Sequence, residues 1–137
     1  MTRPLSGPGI QNVVASAGSR PDLELLVLFG SRAKGRSGPD SDVDLALLCD
    51  QPADLDAWYG ILAPLAGTDR LDLVDLRRAD PTLALEVART GRLLFERRPG
   101  AFRRFQALAS CRFADTAKLR VAQRRTIRVF LERHGLG

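Results

Sequence analysis

Apolar residues arrive in two rhythms along this chain, as short unbroken runs and as longer stretches with helical spacing. Residues 5–17 carry Ile10, Val13, Val14 and Ala17 at helical intervals, behind Gly and Pro residues that delay the start, and predict a short first helix. Turn chemistry at 17–22 then gives way to an almost continuous apolar run, Leu23–Phe29, too short for a helix and read as a buried first strand. A second run, Val43–Cys49, predicts a second strand closed by Asp50-Gln51-Pro52. Asp54 suits the N-cap of a helix through Trp58, Ile61, Leu62 and Leu65, with Gly67 as its stop. Residues 70–76 make a third strand, Asp80-Pro81 opens a helix that reaches Thr90-Gly91, and Arg92–Glu96 is a short fourth strand.

Beyond Arg97-Arg98-Pro99-Gly100 the rhythm changes. No Gly or Pro interrupts the chain up to Arg133, and Phe102, Phe105, Ala109, Phe113, Ala117, Val121, Ile127 and Phe130 recur at intervals that fit one or two helices. Strands alternating with helices predict an α/β or α+β domain, while leaving strand order open.

Composition sharpens this picture at two points. A chain of 137 residues with 45% hydrophobic content is expected to form one domain. It has no run near the ~20 apolar residues that cross a bilayer, and its first residues lack the apolar core of a signal peptide, which predicts a cytoplasmic protein. The net charge of +5 conceals an imbalance: residues 1–96 hold 10 basic and 14 acidic side chains, residues 97–137 hold 11 basic and 2 acidic. A cationic tail can meet an acidic protein, a nucleotide or nucleic acid, the last disfavoured because no aromatic residues are interleaved for base stacking. Cys49 and Cys111, in apolar surroundings, are expected to be buried thiols.

The chemistry concentrates in residues 29–45. Gly30-Ser31 stands where a strand ends and a short helical turn would begin, and unpaired backbone N–H groups at such a point hold phosphate. Arg32 and Lys34 follow as cations able to attract a triphosphate. The stretch 30–37 reads Gly-x-x-x-x-Gly-Arg-Ser, near a P-loop, but the pattern needs Lys where Arg36 stands and a helix that Gly38-Pro39 forbids. Asp42 and Asp44, two apart at the start of a strand, project from one face with Val43 turned to the core, and two adjacent carboxylates call for a cation such as Mg²⁺ between them. The third strand offers Asp72 or Asp75 on opposite faces, so only one can join. Asp72 is preferred as a mid-strand carboxylate flanked by Leu71 and Leu73 that needs a partner, Asp75 being nearer water at the strand end.

Gly30-Ser31, ten intervening residues, Asp42-Val43-Asp44 and a later Arg-Leu-Asp-Leu strand closely resemble the nucleotidyltransferase superfamily that includes DNA polymerase beta and kanamycin nucleotidyltransferase. Within it the chain is similar to the minimal nucleotidyltransferases, many of them antitoxins encoded beside a HEPN-domain ribonuclease toxin. The resemblance implies a polymerase-beta-like α+β fold, a small mixed sheet flanked by helices with a C-terminal helical tail. It implies a single nucleotidyltransferase domain over 1–137, with its catalytic core at about 20–97 and its basic tail at about 100–133. It further implies transfer of AMP from ATP to a tyrosine of a HEPN-type toxin. Gly30, Ser31, Arg32 and Lys34 would hold phosphates, and Asp42, Asp44 and Asp72 would bind two Mg²⁺ ions, Asp72 also accepting a proton. The alternatives are a catalytically silent antitoxin that acts by binding, and a small-molecule nucleotidyltransferase of the antibiotic-modifying kind.

Overall fold

Leucine and valine dominate both sides of the first two strands, and the reason is that helices cover the sheet on both faces. The computed structural model describes residues 8–30, 33 and 42–135. The elements run α1 (Pro8–Gly18), β1 (Leu23–Phe29), β2 (Val43–Cys49), α2 (Leu55–Ala66), β3 (Leu71–Asp75), α3 (Pro81–Thr90), β4 (Arg92–Glu96) and α4 (Ala101–Arg133). Four strands form one sheet in the order β3-β2-β1-β4. β1 is antiparallel to both β2 and β4, whereas β2 and β3 are parallel, as the intervening α2 requires of a crossover.

Strand alternation divides the core in two. Leu23, Leu26, Leu28, Val43, Leu45 and Leu47 face α1 and α2, and Leu25, Val27, Phe29 and Ala46 face α3 and α4. The predicted caps close the middle helices: Asp54 accepts from Ala57 N–H at 3.2 Å, Asp80 from Leu83 N–H at 2.8 Å, and Gly67 ends α2 with φ 71°. Arg97 fastens the sheet to the turn after α1, donating to the carbonyls of Leu23 at 2.8 Å, Gly18 at 2.9 Å and Arg20 at 2.7 Å.

The tail is helical as expected, but most of its apolar stripe is not buried. It is one helix of 33 residues, about 50 Å long, roughly twice the ~23 Å of a seven-residue strand. Phe105 and Ala109 bury against the sheet and α3, and Glu96 at the end of β4 accepts from Phe102 N–H at 3.1 Å in place of a side-chain cap. Past the edge of the sheet nothing is left to pack on, so every residue from 121 to 130 is exposed, including Val121, Ile127 and Phe130 of the expected apolar stripe. Cys111 lies on the outer side of the same helix and is exposed, contrary to its expected burial, while Cys49 is buried. Among the described residues no helix is long and apolar enough to cross a membrane.

Candidate active site

β1 runs toward the edge of the sheet where β2 and β3 begin, so the end of one strand and the starts of two others meet there. Phe29 is opposite Asp44 on β2, and Asp44 is opposite Asp72 on β3. Val43 and Leu71 turn to the α1/α2 core, which leaves Asp44 and Asp72 together on the α3/α4 face. Asp42, two residues before Asp44 and just outside the strand, is exposed.

Gly30 makes this arrangement possible in two ways. Its φ of 76° is a left-handed conformation that costs a residue with a side chain about 1–2 kcal/mol. A Cβ built on it would collide with Asp44 Oδ2 and lie 3.2 Å from Asp44 Cγ, so the backbone comes closer to the carboxylate than any other residue allows.

Asp44 is half-buried, and its acidity is weakened. Burial pushes its pKa above the ordinary 3.8, the charges of Asp72 and then Asp42 push it further, and a hydrogen bond with the Asp72 carboxyl adds to the rise. Oxygen-only donors that repel one another around a half-buried carboxylate fit a hard divalent cation such as Mg²⁺. Among the described residues, no three His, Cys, Asp or Glu side chains converge closely enough to enclose an ion as they stand, so the exposed Asp42 would turn in to complete the set.

The structure therefore brings Gly30, Asp44 and Asp72 together, with Asp42 at the rim. Ser31, Arg32 and Lys34, and the near P-loop match, lie outside the described residues. Asp72 lies beside Asp44, but the burial argument that favoured it is reversed in the structure. Asp72 is exposed, and Asp75 is the buried carboxylate, at 4% exposure. Asp75 points to the opposite face, accepts from Ala53 N–H at 3.1 Å and Arg77 N–H at 3.0 Å, and has Arg78 Nε at 3.8 Å. Its hydrogen-bond donors are backbone groups of the loops after β2 and β3, which no local pattern announces.

A family model described as polymerase beta, nucleotidyltransferase matches residues 11–99. The protein adenylyltransferase MntA of Aphanizomenon flos-aquae (strain 2012/KM1/D3) is 32% identical over 128 residues, which cover 85% of each chain. Among solved structures, a toxin-antitoxin with AMP-PNP superposes with a TM-score of 0.73 at 25% identity, over 88% of this chain and 96% of that one. A chain of the tri-AMPylated Shewanella oneidensis HEPN toxin in complex with MNT antitoxin matches with a TM-score of 0.60 at 23% identity, over 91% of this chain and 96% of that one, a likeness of fold.

Proposed function

Because the chain belongs to the polymerase beta nucleotidyltransferase family, we propose that it transfers AMP from ATP to a tyrosine hydroxyl of a HEPN-type ribonuclease toxin and so acts as that toxin's antitoxin. The observation that carries the reading is the cross-strand pair Asp44 and Asp72, held against Gly30 where three strand ends meet. The acceptor oxygen attacks the α-phosphorus, a new P–O bond forms as the bond to pyrophosphate breaks, and the acceptor's proton passes to Asp72, a carboxylate open to solvent and to substrate. Gly30 presents its backbone to the triphosphate, with Ser31, Arg32 and Lys34 supplying a hydroxyl donor and two cations. Asp42, Asp44 and Asp72 would hold Mg²⁺, two ions on this reading, which when bound supplies charge neutralisation to the triphosphate and the attacking oxygen. Two free thiols accord with a cytoplasmic site of action.

The test is transfer of label from α-labelled ATP, with Mg²⁺, to a HEPN-type toxin from the same genome. Label is expected on a tyrosine with the wild type and not with the Asp42→Asn, Asp44→Asn double variant. Absence of label with the wild type, together with rescue of growth by the double variant, overturns the enzymatic reading in favour of neutralisation by binding.

A further inference from the structure

A groove of about 460 Å³ opens between the first half of α4 and the ends of β2 and β3 that lie away from the aspartates. Leu48, Leu76 and Phe105 line it with apolar surface. Four guanidinium groups, Arg77, Arg98, Arg104 and Arg112, stand round it against one carboxylate, Glu24. Arg77 is held in place by Cys49 O at 3.4 Å, while Arg98, Arg104 and Arg112 have no carboxylate partner among the described residues.

The groove continues into a line of apolar side chains along α4. Leu108 sits at its rim, between Arg104 and Arg112 at four-residue spacing, and is 59% exposed. Leu119 at 58% and Phe130 at 55% follow at eleven-residue intervals, His134 stacking on the Phe130 ring at 4.3 Å. Eleven residues make three turns plus about 20°, so the three side chains fall nearly on one line, about 16 Å apart.

A groove ringed by Arg98, Arg104 and Arg112 and leading through Leu108 into such a line calls for a cover that is apolar along its middle and acidic where it meets those arginines. A second copy of this chain would set eleven basic residues against eleven basic residues. Nucleic acid would satisfy the arginines and leave Leu108 and Leu119 in water. A bilayer surface suits a helix with one apolar face, whereas Val121 and Ile127, both more than half exposed and six residues apart, point to different sides of α4.

We propose that the groove and this line form one docking surface for an acidic amphipathic helix of a protein partner, which on the reading above is the HEPN-type toxin. Leu48 and Asp44 lie on the same sheet face four residues apart along β2, about 13 Å. A helix docked beside α4 therefore lies on the same face as the aspartates.

A HEPN-type toxin from the same genome is titrated calorimetrically into the wild type, into Arg104→Glu with Arg112→Glu, and into Leu108→Ser with Leu119→Ser and Phe130→Ser. All five side chains are exposed, so the fold is expected to survive, with thermal melts as the check. Each variant is expected to raise Kd at least tenfold while ATP affinity stays unchanged. The loss from charge reversal shrinks in high salt and the loss from the serine variant persists. No binding by the wild type, or an unchanged Kd in both variants, overturns the proposal. So does binding of anionic vesicles or transfer RNA, or self-association, that these substitutions abolish while the toxin's Kd stays put. Label transfer that persists with an unmoved Kd retires the docking surface alone, and absent label transfer with the expected Kd pattern retires adenylylation alone.

Discussion

Gly30→Ala tests the geometry at the centre of the site. The substitution imposes a side chain on a residue with φ 76°, at about 1–2 kcal/mol, and drives the new Cβ into Asp44 Oδ2. Forcing an extra carbon into an occupied position typically costs a further 1–3 kcal/mol or so, for a total of about 2–5 kcal/mol. The two parts are separable. In an Asp44→Ala background the carboxylate is gone and the remaining neighbour, the Cβ of residue 44, lies 3.5 Å away in ordinary contact, so only the conformational cost of about 1–2 kcal/mol should survive. Urea denaturation of the wild type, the two single variants and the double variant, all in EDTA, closes a thermodynamic cycle with an expected coupling of about 1–3 kcal/mol. A coupling below about 0.5 kcal/mol, the usual limit of additivity between independent sites, would refute the close approach of Gly30 to Asp44 and with it the account of why glycine stands there.

Further predictions address the carboxylates and thiols. Asp75→Ala strands the buried N–H of Ala53 and should lower stability by about 1–3 kcal/mol while label transfer at permissive temperature holds; Asp72→Ala should leave stability within about 0.5 kcal/mol and reduce label transfer at least about 100-fold. The reverse pattern would move the third carboxylate to Asp75. Asp44 has a raised pKa in the fold, so the native state holds that proton more tightly than the unfolded chain does. Its contribution is fully present below the ordinary 3.8 and is lost as pH rises through the raised value, and Asp44→Asn in EDTA should remove that loss and melt higher than the wild type at neutral pH. Burial first, then the charges of Asp22, Asp75 and Asp50, push the Cys49 thiol up to about 11, so Ellman's reagent should titrate one thiol in the native protein, Cys111, and two in urea.

Every strand and the two middle helices were legible from the sequence because their signals are local: unbroken Leu/Val runs, Asp54 and Asp80 as caps, Gly67 as a stop. Strand order was not legible, since it depends on which edges pair and not on any one segment. Asp72 and Asp75 show how this limit reaches the site. Alternation places them on opposite faces, which the sequence states, but burial belongs to the sheet. Residue 72 is second in the edge strand, near its start, and residue 75 ends it beneath the loop that leads to α2. The tail was legible as a helix but not in its burial. Its apolar spacing is helical throughout, yet the sheet is long enough to cover only its first few turns.

Topology also explains why the candidate site and the proposed docking groove share one face. An antiparallel β1/β2 pair puts the Gly30 turn and the start of β2 at the same edge, and a parallel β2/β3 pair adds the start of β3 to it. Residues with even numbers on β2 and β3, namely Asp44, Ala46, Leu48, Asp72 and Val74, then look toward α3 and α4. Asp44 and Asp72 occupy one end of this face, and Leu48 occupies the end beside the start of α4. On the proposed docking, a partner helix seated on Leu48 beside α4 lies about 13 Å from Asp44 along the strand, a gap that a segment extending from the docked helix would bridge. Fixing the helix while leaving that segment mobile would let one docking event present several hydroxyls in turn to Asp72. Shortening the connection in the toxin by ten residues should therefore abolish label transfer while leaving Kd intact, and equal loss of both would place the acceptor within the docked surface.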